Sequence, residues 1–172
     1  MSRGQIEIFL QPGEFHFGDR SARLSTLLGS CVAITLWHPR WLTGGMCHFL
    51  LPTRGRTAGV FDARYGDEAM ALFVEAAAAR GTRMREYEAK VFGGGNMFRG
   101  GSCAAPLDVG SRNVAAANNM LIRHGLAPRA ASVGKYGYRN VFFDLATGHV
   151  WVRHVSTPVQ TLQETEAWQK SA

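Results

Sequence analysis

Apolar residues alternate with polar ones in several short runs and recur at helical spacing in two longer ones. Ile6, Ile8 and Leu10 alternate across residues 5–11 and predict a strand, punctuated by Pro12-Gly13. Residues 23–28 form a short extended run. After Gly29-Ser30, residues 31–37 alternate and are rich in β-branched side chains, predicting a strand, and residues 42–51 predict another that Pro52 ends. Residues 53–65 are polar and rich in Gly and Arg, the composition of a mobile loop. Over residues 67–80, Met70, Phe73, Val74 and Ala77 share one helical face and Gly81 supplies a stop. A strand at 87–92 leads into Gly93-Gly94-Gly95. A second helix is predicted over 111–124, with Val114, Ala117, Leu121 and Ile122 inward and Gly125 beyond it. Residues 130–135 read as a strand, and 139–144 with 149–154 as a hairpin across Ala146-Thr147-Gly148. The polar tail after Pro158 predicts a short helix or disorder.

Strands outnumber helices and lack the regular βαβ rhythm of a doubly wound sheet. The expected class is α+β: a single domain, a layered sandwich of mixed or antiparallel β-sheets with two main helices packed outside. The domain is placed at 1–158, with a polar C-terminal extension at 159–172. A length of 172 residues suits one domain, at roughly 100–200 residues each.

Charge adds a question of partner. The chain carries 16 Arg, 3 Lys and a net charge of +6. That balance suits an acidic protein partner, since no nucleic-acid motif accompanies it. Three cysteines at spacings of 16 and 56 fit no disulfide framework. With no signal-like start and no long apolar window, the expectation is a cytoplasmic protein with free thiols and no membrane insertion.

A lone cysteine beside a strand usually packs as a small apolar residue. Two features set Cys31 apart. The Gly29-Ser30 turn puts it at the beginning of a strand, where turn N–H groups can face a developing oxyanion. If residues 31–37 and 42–51 pair antiparallel, Cys31 lies opposite or near His48, and an imidazole there can take the thiol proton. Cys47, adjacent to His48 on the strand, points the other way and reads as core. Cys103 reads as a bystander in a loop. Cys31, Cys47, His48 and Cys103 lack the paired spacing of a structural zinc site, so no metal is expected. A hydroxyl to orient the imidazole would come from Ser25, which shares parity with Cys31, or from Thr26 if the Gly29 turn breaks the count; either is otherwise an ordinary strand hydroxyl.

The stretch KVFGGGNMF (residues 90–98) lacks the spacing of a phosphate-binding loop. It reads as a tight loop lining a cleft, with Asn96 hydrogen-bonding across it. Ser30, Gly94 and Asn96 are the cleft candidates. His16, His38, His124, His149 and His154 show no ligand spacing and read as surface or structural.

Taken together, LLGSCVAITLWHP, GGMCHFLLP and KVFGGGNMF, with FLQPGEFHFG before them and VGKYGYRNVFFDLATGHVWV after, resemble the CheD family of chemoreceptor glutamine deamidases in bacterial chemotaxis. The resemblance covers roughly residues 5–155. It implies a Cys–His–Thr site without a cofactor, with Cys31 as nucleophile and His48 as general base. The family's threonine falls at Ser25 by count, with Thr26 one residue off. It also implies a substrate: glutamines on the helical cytoplasmic region of methyl-accepting receptors, converted to glutamate through a thioester. A positive surface around Arg54, Arg56 and Arg64 would guide such a helix. Some relatives bind a CheC-type phosphatase. Two other readings compete: a weakly catalytic or non-catalytic binding module for a signalling partner, and a thiol hydrolase or transglutaminase-like acyl transferase using the same pair. An intact Cys31/His48 pair argues against a pure binder.

Overall fold

The computed structural model describes residues 4–56, 59–98, 108–156 and 169–171. The described residues hold ten strands: β1 (Ile6–Phe9), β2 (Phe15–Asp19), β3 (Ala22–Leu28), β4 (Val32–His38), β5 (Thr43–Phe49), β6 (Glu88–Gly93), β7 (Pro128–Val133), β8 (Tyr138–Asp144), β9 (Val150–Val155) and β10 (Gln169–Ser171). Two helices interrupt them, α1 (Gly66–Ala79) and α2 (Val109–Arg123). One sheet has the order β1-β3-β8-β9-β10 and the other β2-β5-β4-β6-β7. The pairs β1/β3 and β6/β7 are parallel; the other neighbours are antiparallel.

Three layers result. Val32, Ile34 and Leu36 of β4, with Cys47 and Phe49 of β5, face α1 and α2 and pack on Met70, Phe73, Ala117 and Leu121. The opposite face of the same strands, with Ala33 and Met46, packs on Leu24, Leu28, Val141 and Phe143 of the other sheet. Strands β4 and β5 are therefore covered on both sides, and this sandwiching lets a polar group sit deep inside.

The predicted elements are present, with shifted ends. An α+β sandwich with both helices outside one sheet is what forms. β2 was not foreseen, because Pro12-Gly13 and the mixed run FHFGD hide a strand whose pairing partner, β5, lies far along the chain. The inward face of α2 is also rotated from the expected one. Ile122 is 66% exposed, while Asn113 and Met120 are buried with Ala117 and Leu121. Amid its Ala-rich sequence the apolar stripe admits more than one register, and packing chose.

The segment expected to be a mobile loop is stitched to α1. Arg54 donates to both Glu68 carboxylate oxygens (2.7 and 2.9 Å), Glu68 also accepts from the Asp62 N–H (2.7 Å), and Thr53 donates to Asp67 (2.6 Å). The tail expected to be helical or disordered falls largely outside the described residues, but 169–171 adds an edge strand to β9.

Candidate active site

Cys31 follows the Gly29-Ser30 bend and stands immediately before β4, half-buried. The β4/β5 ladder pairs Val32 with Phe49 and Ala33 with His48. Cys31 is two residues before Ala33 and packs against the core between the sheets. It therefore lies on the diagonal to His48, on the same face; diagonal neighbours are about 7–8 Å apart between backbones, within reach of an imidazole. Cys47 points to the helix side, where burial pushes its thiol up to about 12. Cys103 lies outside the described residues.

His48 is 1% exposed. Its Nδ1 is 2.7 Å from the Thr26 hydroxyl, which donates its proton to the Leu10 carbonyl oxygen at 2.7 Å. A hydroxyl has one proton. With that proton on Leu10, Thr26 presents a lone pair to Nδ1, so Nδ1 carries the ring hydrogen and Nε2 is left as the basic nitrogen, a tautomer assigned from this network. Nε2 is buried and has no hydrogen-bond partner among the described residues.

This hydrogen bond belongs to Thr26 and not to Ser25. Along β3 the residues Ala22, Leu24, Thr26 and Leu28 face the other sheet and are buried, while Ser25 turns to the opposite face. Counting parity through the Gly29-Ser30 bend misled the expectation, because the bend changes the phase between β3 and Cys31. Leu10 was invisible as a contributor, since it acts through its backbone carbonyl.

Burial between the sheets sets the electrostatics. Desolvation lowers His48 from its ordinary 6.5 to about 4, against smaller raising effects of the Leu10 carbonyl and the Glu14 charge. Burial raises the Cys31 thiol above 9.0, offset in part by its own N–H. Both shifts favour the neutral thiol and the neutral imidazole.

The glycine run works as a clasp behind the cysteine. The Gly94 N–H donates to the Cys31 carbonyl and the Gly95 N–H to the Gly29 carbonyl, both at 2.8 Å. Gly93 (φ 105°) passes so close that a β-carbon would collide with the Cys31 carbonyl oxygen, and Gly94 (φ 63°) is filled in by Val114 and Gly110 of α2. Gly94 thus backs Cys31 and does not line open space. Asn96 does not bridge a cleft with its side chain as expected: its Oδ1 accepts from the Phe98 N–H (2.9 Å), and only its backbone crosses, to Lys135 and Gly137. Ser30 is half-buried at the bend, and its carbonyl accepts from the buried Asn113 amide at 3.1 Å. Asn113 was missed as well; its signal was a polar residue on the stripe of α2 that packs inward.

No group of three metal-ligating side chains occurs among the described residues. Of the three arginines expected to form a positive surface, Arg54 is spent on Glu68 and Arg64 on Asp62 (2.6 Å), so their charges are locally compensated. No helix among the described residues is long and apolar enough to cross a membrane.

A family model described as CheD chemotactic sensory transduction matches residues 50–154. A probable chemoreceptor glutamine deamidase CheD of Pseudomonas fluorescens (strain SBW25) is 48% identical over 169 residues, covering 98% of this chain and 94% of the relative. A similarly named protein of Dechloromonas aromatica (strain RCB) is 50% identical over 147 residues, covering 85% of this chain and 86% of its own length. One from Leptospira interrogans serogroup Icterohaemorrhagiae is 37% identical over 155 residues, covering 86% and 92%.

Proposed function

This chain belongs to the CheD family, and from that premise we propose that it deamidates glutamine side chains of chemoreceptors through Cys31 and His48. The observation that carries the residue assignment is the unpartnered Nε2 of His48, buried on the same strand face as Cys31 and fixed as a base by Thr26.

The reaction proceeds as follows. His48 Nε2 takes the Cys31 proton as the sulfur bonds to the amide carbon, and the oxyanion forms near the N–H groups of the Ser30–Cys31 turn. The tetrahedral adduct collapses; the C–N bond breaks, and His48 returns the proton to the leaving nitrogen, releasing ammonia. Water, deprotonated by His48, then attacks the thioester carbonyl, the C–S bond breaks, and glutamate leaves with the thiol restored. Thr26 holds the imidazole and touches no reacting atom; it is a positioning residue. A cytoplasmic location follows from a substrate carried on the cytoplasmic region of receptors.

The test is mass spectrometry of a receptor cytoplasmic fragment incubated with the protein. Amide-to-acid conversion at defined glutamines, abolished in Cys31→Ala and in His48→Asn, is the expected result. Conversion that persists in Cys31→Ala overturns the assignment of the nucleophile. A wild-type protein that binds the fragment and converts none of it favours the binding-module reading.

A further inference from the structure

Asn113 stands on the second turn of α2, on the stripe shared with Ala117 and Leu121, where packing alone would call for an apolar residue. It is completely buried. Its amide nitrogen donates to the Ser30 carbonyl (3.1 Å) and to the Leu50 carbonyl (2.8 Å). Ser30 directly precedes Cys31. Leu50 lies two residues beyond His48. One amide therefore ties the nucleophile's turn to the strand that carries the base.

The position of this bridge matters because the sheet itself stops short of the nucleophile. The last rung of the β4/β5 ladder is Val32 with Phe49. Beyond it, the Leu50 N–H turns away to the Arg64 carbonyl (2.8 Å), and the Cys31 carbonyl is taken on the other side by Gly94. No ladder rung holds Cys31 in place relative to β5. The Asn113 amide supplies that rung from the helix layer, spending both of its hydrogens on it.

We propose that Asn113 is a positioning residue for deamidation, bridging Ser30 and Leu50 so that the turn carrying the Cys31 thiol is held beside the strand carrying His48. The inference rests on the Cys31–His48 reading above. A shift of about 1 Å in a reacting group can cost on the order of a hundredfold in rate.

The test uses the whole chain with Asn113→Leu, which keeps the branched skeleton but removes the polar atoms, and Asn113→Asp, which keeps the shape without the donors; Asn113→Ser stands in for either that does not fold. Two quantities are measured: kcat and KM on a receptor cytoplasmic fragment, and the rate of iodoacetamide alkylation of Cys31 at pH 7 with and without His48→Asn. The expected result is kcat lowered roughly tenfold or more with KM within about twofold. In the wild type, His48→Asn slows alkylation; in the Asn113 variants the same change has no effect. Folded variants with kcat within about twofold of wild type overturn the inference, as does lowered kcat with the His48 dependence of alkylation intact. Wild-type alkylation indifferent to His48 overturns the dyad, and the inference with it.

Discussion

At the scale of the residue, burial sets the resting state of the cysteine and the histidine. A preformed thiolate–imidazolium pair would react fully at neutral pH, but the two groups are pushed toward their neutral forms. Alkylation of Cys31 is therefore expected to keep climbing past pH 9, followed as iodoacetamide incorporation against pH. The same burial links His48 to stability. Its folded-state pKa, about 4, lies below the ordinary 6.5, so the unfolded chain binds the proton more readily between those values. Stability from this group is fully present above pH 6.5 and is lost as pH falls toward 4, a swing of roughly 3 kcal/mol. Urea unfolding of the wild type and His48→Asn at pH 7 and pH 4.5 should show the swing only in the wild type. Replacing Thr26 by Val leaves both the Nδ1 hydrogen and the Leu10 carbonyl without the hydroxyl between them. The expected cost is about 1–3 kcal/mol in stability and roughly tenfold or more in kcat, whereas Ser25→Ala changes kcat by less than about twofold. Unfolding curves and deamidation rates of the two variants check this.

At the scale of the element, the reactive turn is built from its neighbours. The strand end at Gly93-Gly94 can pass beside Cys31 because neither residue carries a β-carbon. Gly94→Ala meets a left-handed φ together with collisions against Val114 and Gly110, and a loss of about 2–4 kcal/mol is expected in denaturant unfolding. The loop ahead of α1 depends in the same way on Glu68, whose side chain is 3% exposed beneath Arg54. Arg54→Gln leaves that carboxylate short of its cation and should cost about 1–3 kcal/mol, detected as a lowered Tm.

At the scale of the whole molecule, one layer arrangement does two jobs. Sheet against sheet dries the space around His48, while helix against sheet steadies the strand ends that frame Cys31. Part of the positive net charge is buried, at Lys90 and Arg139, and the Arg54/Glu68 and Arg64/Asp62 pairs act at a distance as dipoles more than as cations.

Much of this arrangement was legible in the chain. Alternation marked β1 and β4, and short extended or apolar runs bounded by turn residues marked β3, β5 and the β8/β9 hairpin. The spacing from Cys31 to His48 set both on one hairpin, since an antiparallel pair with a short connection leaves little freedom of register. By itself, then, the sequence determined the class of fold and the hairpin that brings Cys31 and His48 into one neighbourhood. It did not determine the hydroxyl. Ser25 and Thr26 are adjacent and chemically alike, and a bend of two residues sets the phase between their strand and the nucleophile. Only the closing of one sheet over the other decided for Thr26, with the Leu10 carbonyl to orient its proton. Asn113 likewise gains its role from a helix packed across two strand ends. Contacts of that kind join residues 16 to 83 positions apart, and local pattern carries no trace of them.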